Sequence, residues 1–147
     1  MSENRVEQRE LGDPELDALL GAAFAELVSR YGAEGRSHVQ PNATYLVAVV
    51  DGEGVACAAL QQADDVTGEV KRMFVSPAYR GRGLARALLK ALEDEGRLRG
   101  YQTIRLTTGN LQPEAMALYQ SSGYAEIPRY GKYVGQLWTH CYAKPLT

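Results

Sequence analysis

Glu69-Val70-Lys71-Arg72-Met73-Phe74-Val75-Ser76-Pro77-Ala78-Tyr79-Arg80-Gly81-Arg82-Gly83-Leu84-Ala85-Arg86 runs from an apolar, strand-like stretch through a proline and two glycines into a helical pattern. Glycines let a backbone pass close to a ligand with no side chain in the way. The helix that begins at Leu84 aims its unpaired N–H groups and the positive end of its dipole at the same point. The segment Arg80 to Ala85 therefore reads as an anion cradle between a strand and a helix, with Arg82 and Arg86 as cations beside it.

Upstream lie two more strand-like runs, Tyr45 to Val50 and Gly54 to Gln62, ahead of a third, Thr67 to Val75. Asp51-Gly52 and Ala63-Asp64-Asp65 separate them at hairpin spacing, which predicts an antiparallel meander. Before the meander, Asp13 can cap a helix whose first position is Pro14. Leu16, Leu19, Leu20, Phe24, Leu27 and Val28 give it one apolar face until Tyr31-Gly32. Val6 to Leu11 is a short strand candidate, and Ala33 to Asn42 reads as a loop or a short irregular helix.

Downstream, Leu84, Leu88, Ala91, Leu92 and Leu98 form an apolar stripe opposite Arg82, Arg86, Lys90, Glu93 and Asp94, a long amphipathic helix ending near Gly100. Thr103 to Thr107 is a strand, and a crossover this long implies that it pairs in parallel with the strand before the helix. Pro113 opens a further helix that runs to Ser122 and is capped by Gly123. Tyr124 to Ile127 and Gln136 to Ala143 finish the chain as strands. The sum is an α/β (α+β) domain with a mixed sheet of six or seven strands, helices on both faces and one parallel pair.

The 147 residues, 45% hydrophobic and 23% charged, suit one domain spanning 1–147. A net charge of −2 with interspersed signs offers no basic field, so no nucleic acid is expected as partner. The longest apolar run is far below the roughly 20 residues that cross a bilayer, and the first residues are charged. The expectation is a soluble, cytoplasmic protein with no membrane partner. Cys57 and Cys141 sit in apolar runs without metal-ligand spacing and read as core. His38 and His140 have no second ligand nearby, so no metal is expected.

Three sites could use such a cradle. A dinucleotide fingerprint needs glycine where Arg86 stands, and a P-loop needs Gly-Lys-Ser/Thr, which is absent. Arg80-x-x-Gly83-x-Ala85 instead matches the Arg/Gln-x-x-Gly-x-Gly/Ala signature of the GCN5-related N-acetyltransferase (GNAT) superfamily. Glu69 to Gly83 is similar to that family's fourth strand and following loop. Asn110, Ala115, Leu118, Tyr119 and Gly123-Tyr124 resemble its later motif, in the right order.

The resemblance implies acetyl-coenzyme A (acetyl-CoA) as donor substrate. Its pyrophosphate would lie on Arg80, Gly81, Arg82, Gly83, Leu84, Ala85 and Arg86. Its pantetheine amides would lie along the main chain of Met73, Phe74 and Val75, and Asn110 would either contact the pantetheine or hold the helix start. The Val75 amide would bind the thioester oxygen. By the same resemblance Tyr119 is the general acid that protonates the departing sulfur, and Glu69 either a base acting through water or an ordinary strand carboxylate.

The implied reaction moves the acetyl group directly to a primary amine. The aromatic and polar set Tyr31, His38, Tyr45, Tyr130, Lys132, Tyr133 and Trp138 suits a small-molecule amine acceptor and equally suits packing. Alternatives are a protein or peptide acceptor, or a non-catalytic acyl-CoA-binding module. Open sheet edges leave room for a homodimer.

Overall fold

The computed structural model describes residues 4–32 and 39–146. In chain order they form β1 (Asn4–Arg9), α1 (Pro14–Tyr31), β2 (Thr44–Val50), β3 (Glu53–Asp64), β4 (Thr67–Val75), α2 (Leu84–Leu98), β5 (Thr103–Gly109), α3 (Pro113–Ser121), β6 (Ala125–Ile127) and β7 (Thr139–Pro145). Single 3-10 turns sit at Pro77–Tyr79 and Gly131–Tyr133. His38 lies outside the described residues.

The sheet has seven strands in the order β1-β2-β3-β4-β5-β7-β6. Every pairing is antiparallel except β4 with β5. That parallel pair flanks the α2 crossover, as the long connection requires.

The run Tyr45 to Val50 is apolar at every position because both faces of β2 are covered. Leu46, Ala48 and Val50 pack with Leu84, Leu88, Leu89 and Leu92 of α2, while Tyr45, Val47 and Val49 pack with Leu16 and Leu19 of α1. Asp13 caps α1, its carboxylate accepting from the Leu16 N–H at 3.0 Å. α3 joins the α2 side through Tyr119.

Two expectations for α2 are corrected. Leu98 is 83% exposed and Glu93 is 6% exposed. Leu98 is about 120° around the helix from Leu92 at 3.6 residues per turn, so it leaves the stripe; Leu89 and Gly96 complete it instead. Glu93 is tolerated inside because the Tyr124 hydroxyl donates to it at 2.9 Å and Lys144 Nζ at 3.0 Å. The last strand also begins later than its sequence pattern, at Thr139 rather than Gln136.

One irregularity shapes the centre of the sheet. Lys71 faces Ala59 and Phe74 faces Cys57, so two residues of β4 oppose Ala58 alone. This β-bulge holds Arg72 at a φ of 58°, a left-handed conformation uncommon for a residue with a side chain. β4 pairs with β5 only from Thr67 to Glu69, whereas β5 stays paired with β7 as far as Gly109. Beyond Glu69 the two parallel strands part, and a wedge opens between them.

Candidate active site

The wedge is a cleft lined by Val70 to Phe74 of β4 and Leu106 to Gly109 of β5. Tyr119 of α3, Tyr133 and Trp138 contribute to its walls, and α1 adds Ala23, Phe24, Glu26, Leu27, Arg30 and Tyr31. The helix follows from its apolar spacing, but its last two turns reach past the sheet core to the cleft. There Tyr31 stacks on Trp138, with ring centroids 4.9 Å apart, and its hydroxyl accepts from the Leu111 N–H at 3.1 Å.

The open edge of β4 leads to the glycine segment. Ser76 N–H bonds the Val55 carbonyl at 2.9 Å, which makes the facing pair Ala56 and Val75 a non-hydrogen-bonded one. Val75 therefore turns its own N–H and C=O away from β3. By alternation the main chain of Phe74 turns to β3. Met73 lines the cleft beside the bulge.

Gly81 and Gly83 hold φ values of 79° and 80°, a conformation in which side chains are strained. A Cβ at either would meet nothing within 4 Å, so it is the backbone conformation and not space that calls for glycine. The first helical bond of α2 is the 3.0 Å contact from Ala87 N–H to the Gly83 carbonyl. The N–H groups of Leu84, Ala85 and Arg86 precede any intrahelical acceptor and remain at the helix start. Two left-handed residues followed by orphan amides are an arrangement that can hold an anion.

The arginines are less available than their sequence position suggests. Arg80 Nε donates to the Val75 carbonyl at 2.9 Å, and its guanidinium meets Glu26 at 2.6 Å, tying the loop to α1. Arg86 donates to the hydroxyls of Ser121 and Ser122 at 2.9 and 3.1 Å, joining α2 to α3. Arg82 lies 5.0 Å from the centroid of the Tyr79 ring. Asn110 is exposed in the turn after β5, where its main-chain N–H donates to the Trp138 carbonyl at 2.8 Å. Gln112 rather than Asn110 occupies the N-cap of α3.

Tyr119 is 5% exposed and packs against Tyr124 and Tyr142, each with ring centroids 6.2 Å away. Burial pushes its phenol up to about 12, so it stays protonated at neutral pH. It lies in the wall of the cleft.

Glu69 is 4% exposed, and its oxygens are divided between two cations. Oε1 accepts from the Arg105 guanidinium at 2.9 Å and Oε2 from Lys71 Nζ at 2.9 Å. Lys71 also donates to the Tyr133 hydroxyl at 3.2 Å. Arg105 stacks over Tyr130 at 3.8 Å from its centroid, and the Tyr130 hydroxyl accepts from Thr107 at 2.9 Å. Burial beside Glu69 holds the Tyr130 phenol well above its usual range. Glu69 is thus the hub of a cluster that delivers Lys71 to the cleft.

Among the aromatic set, Tyr31, Tyr133 and Trp138 do line the cleft, whereas Tyr45 is a core residue at 7% exposure. Burial also raises the Tyr45 phenol and pushes the Cys57 thiol up to about 12, so Cys57 is an inert core group. Glu26, Arg30, Arg72 and Arg105 were not singled out from the sequence. Arg105 had one usable signal, since it alternates with Ile104 and Leu106 and so points away from their core face.

The fold as a whole is shared with solved structures. A Klebsiella pneumoniae protein assigned as an acyl-CoA N-acyltransferase superposes with a TM-score of 0.84 over 98% of both chains at 30% identity. A GNAT family acetyltransferase from Elizabethkingia anophelis with acetyl-CoA bound shares the fold, with a TM-score of 0.74 over 97% of both chains at 19% identity. In sequence, IAA acetyltransferase of Azospirillum brasilense is 38% identical over 121 residues, 81% of this chain and 78% of that protein. Other relatives are longer proteins of which this chain spans 33% to 44%. No helix among the described residues is long and apolar enough to cross a membrane. The model of the acetyltransferase (GNAT) family matches residues 9–124, which include the bulged strand, the glycine seat and Tyr119, and the chain belongs to that family.

Proposed function

We propose that the chain is an acetyl-CoA-dependent N-acetyltransferase that moves an acetyl group directly to a primary amine of a small molecule. The observation that carries this reading is the wedge itself. It joins an open strand edge that leads to an anion seat, a buried protonated phenol and a polar wall from α1 in one cleft.

Acetyl-CoA fits these residues, because a diphosphate matches the amides of Gly81 to Arg86 and a pantetheine arm matches an unpaired strand edge. When bound, it supplies the thioester carbonyl. The Val75 amide faces the open edge and is placed to polarise that carbonyl, a contact of the oxyanion type. Tyr119 donates a proton to the sulfur as the thiol leaves. Glu69 supports the site by holding Lys71 and Arg105, since both of its oxygens are already bound by them.

A thermal-shift titration with coenzyme A, followed by a thiol-release screen of amines, amino acids and peptides, tests the reading. Coenzyme A is expected to raise Tm, and at least one amine to release thiol above the hydrolytic background. A flat Tm and no release would refute it.

The seat makes its own prediction. Gly83→Val places a β-branched residue at a φ of 80°, which costs about 1–2 kcal/mol or more of backbone strain. It is expected to weaken coenzyme A binding at least tenfold by calorimetric titration. A Kd within twofold of the parent would remove the seat from the donor site.

A further inference from the structure

Among the described residues, the charged side chains that line the cleft are Arg30 of α1, Lys71 and Arg72 of β4, and Glu26 of α1. Among these, three cations face one anion in a chain whose net charge is −2. Glu26 is held by Arg80 and lies 3.6 Å from Arg30. Behind the cleft, Glu69 is balanced by Arg105 and Lys71. A concave site with low-dielectric walls focuses such an excess on whatever enters it.

The cations sit away from the donor's diphosphate seat. Arg72 precedes Val75 by three residues, about 10 Å along a strand, and the glycines lie farther still. Lys71 is on the α1 side of the sheet, facing Ala59, whose neighbours in the core are those of α1. Arg72 lines the same cleft as Lys71. The bulge that holds Arg72 in a left-handed conformation is a local strain of the kind that collects at ligand sites.

Resting on the acetyl-transfer reading, we infer that the acceptor is an amine that also carries a carboxylate, as an amino acid does, and that Arg30, Lys71 and Arg72 bind that carboxylate. The arrangement has a chemical consequence. An ammonium group brought among cations loses its proton more easily than in water, because like charges disfavour the charged form. An attached carboxylate draws the molecule in despite that repulsion, so the amine arrives in the form that attacks a thioester. Simple alkylamines lack the anchor and are repelled as cations.

The test compares α-amino acids with their own carboxamides, which keep the amine and side chain and lose only the negative charge. Thiol release from acetyl-CoA gives kcat/KM for each pair. Binding of the same pairs, with coenzyme A present, is followed by fluorescence of Trp138, the single tryptophan, which lines the cleft. Carboxylates are expected to be favoured at least tenfold in both measurements. Arg30→Gln and Arg72→Asn should each shrink that ratio several-fold, asparagine being chosen because it tolerates the left-handed backbone. Should Arg72→Asn fail to fold, Arg30→Gln, on a half-buried helix position, decides alone.

Carboxamides turned over or bound as well as their acids, or a ratio unmoved in the variants, would overturn the inference while leaving acetyl transfer standing. Thiol release from no amine at all, with the carboxylate preference still present in fluorescence, would instead sink acetyl transfer and leave the anion site.

Discussion

Tyr119→Phe is expected to lower kcat by about 10-fold or more with little change in Tm. The substitution removes one oxygen from a ring that keeps its packing against Tyr124 and Tyr142. The effect should fall at or below the low end of the 10²–10⁴ range of general acids, because a thiol with a reference pKa near 8.5 needs a proton only mildly as it leaves. Burial sets the sign of the pH dependence. The folded protein holds this phenol at about 12 against an ordinary value of 10.0, so the protonated form serves as donor across the whole neutral range. Stability linked to the group is fully present below pH 10. It declines between about pH 10 and pH 12, where the unfolded chain ionises first, by roughly 3 kcal/mol in all. Tyr119→Phe should therefore lose activity at pH 7 and gain relative stability above pH 10. A thiol-release pH profile superimposable on the parent's would remove Tyr119 as the acid.

What the sequence made legible was local. The left-handed turn before α2 could be read because Gly81 and Gly83 adopt backbone conformations that other residues avoid, and α1 because Asp13 and Pro14 mark its start. The meander was legible from turn residues, and the parallel pair from the length of the crossover. Features that depend on register or on side-chain partners were not. Nothing in Lys71-Arg72-Met73 announces a bulge, since the extra residue is defined only against β3. The Arg80 guanidinium is held by the Val75 carbonyl and by Glu26, a partner 54 positions away that its place in the loop does not announce. Glu93 looked solvated because its partners, Tyr124 and Lys144, belong to segments that fold back onto α2.

Glu69 shows the same limit with the largest consequence for stability. The family resemblance offered either a base acting through water or an ordinary strand carboxylate, and the register that sets Glu69 beside Arg105 makes it the shared anion of two cations. Removing one partner of a buried ion pair costs about 3–5 kcal/mol, because the other charge is left desolvated. Lys71 keeps 10% and Arg105 28% of its side-chain exposure, so the lower end, about 3 kcal/mol, is expected for Glu69→Ala. At this chain length that corresponds to a fall in Tm of about 6–12 °C. Glu69→Gln keeps the shape and an acceptor oxygen but not the charge, and it should fall between Glu69→Ala and the parent. The decisive readout is the form of the pH-rate curve. If Glu69 works by holding Lys71, Glu69→Gln lowers kcat while both limbs of the curve stay at the parent's pH. If Glu69 is itself the base, Glu69→Gln abolishes the acidic limb. The engaged state of both oxygens favours the first outcome, in which Lys71 loses its fixed place and the affinity for a carboxylate-bearing acceptor falls with it.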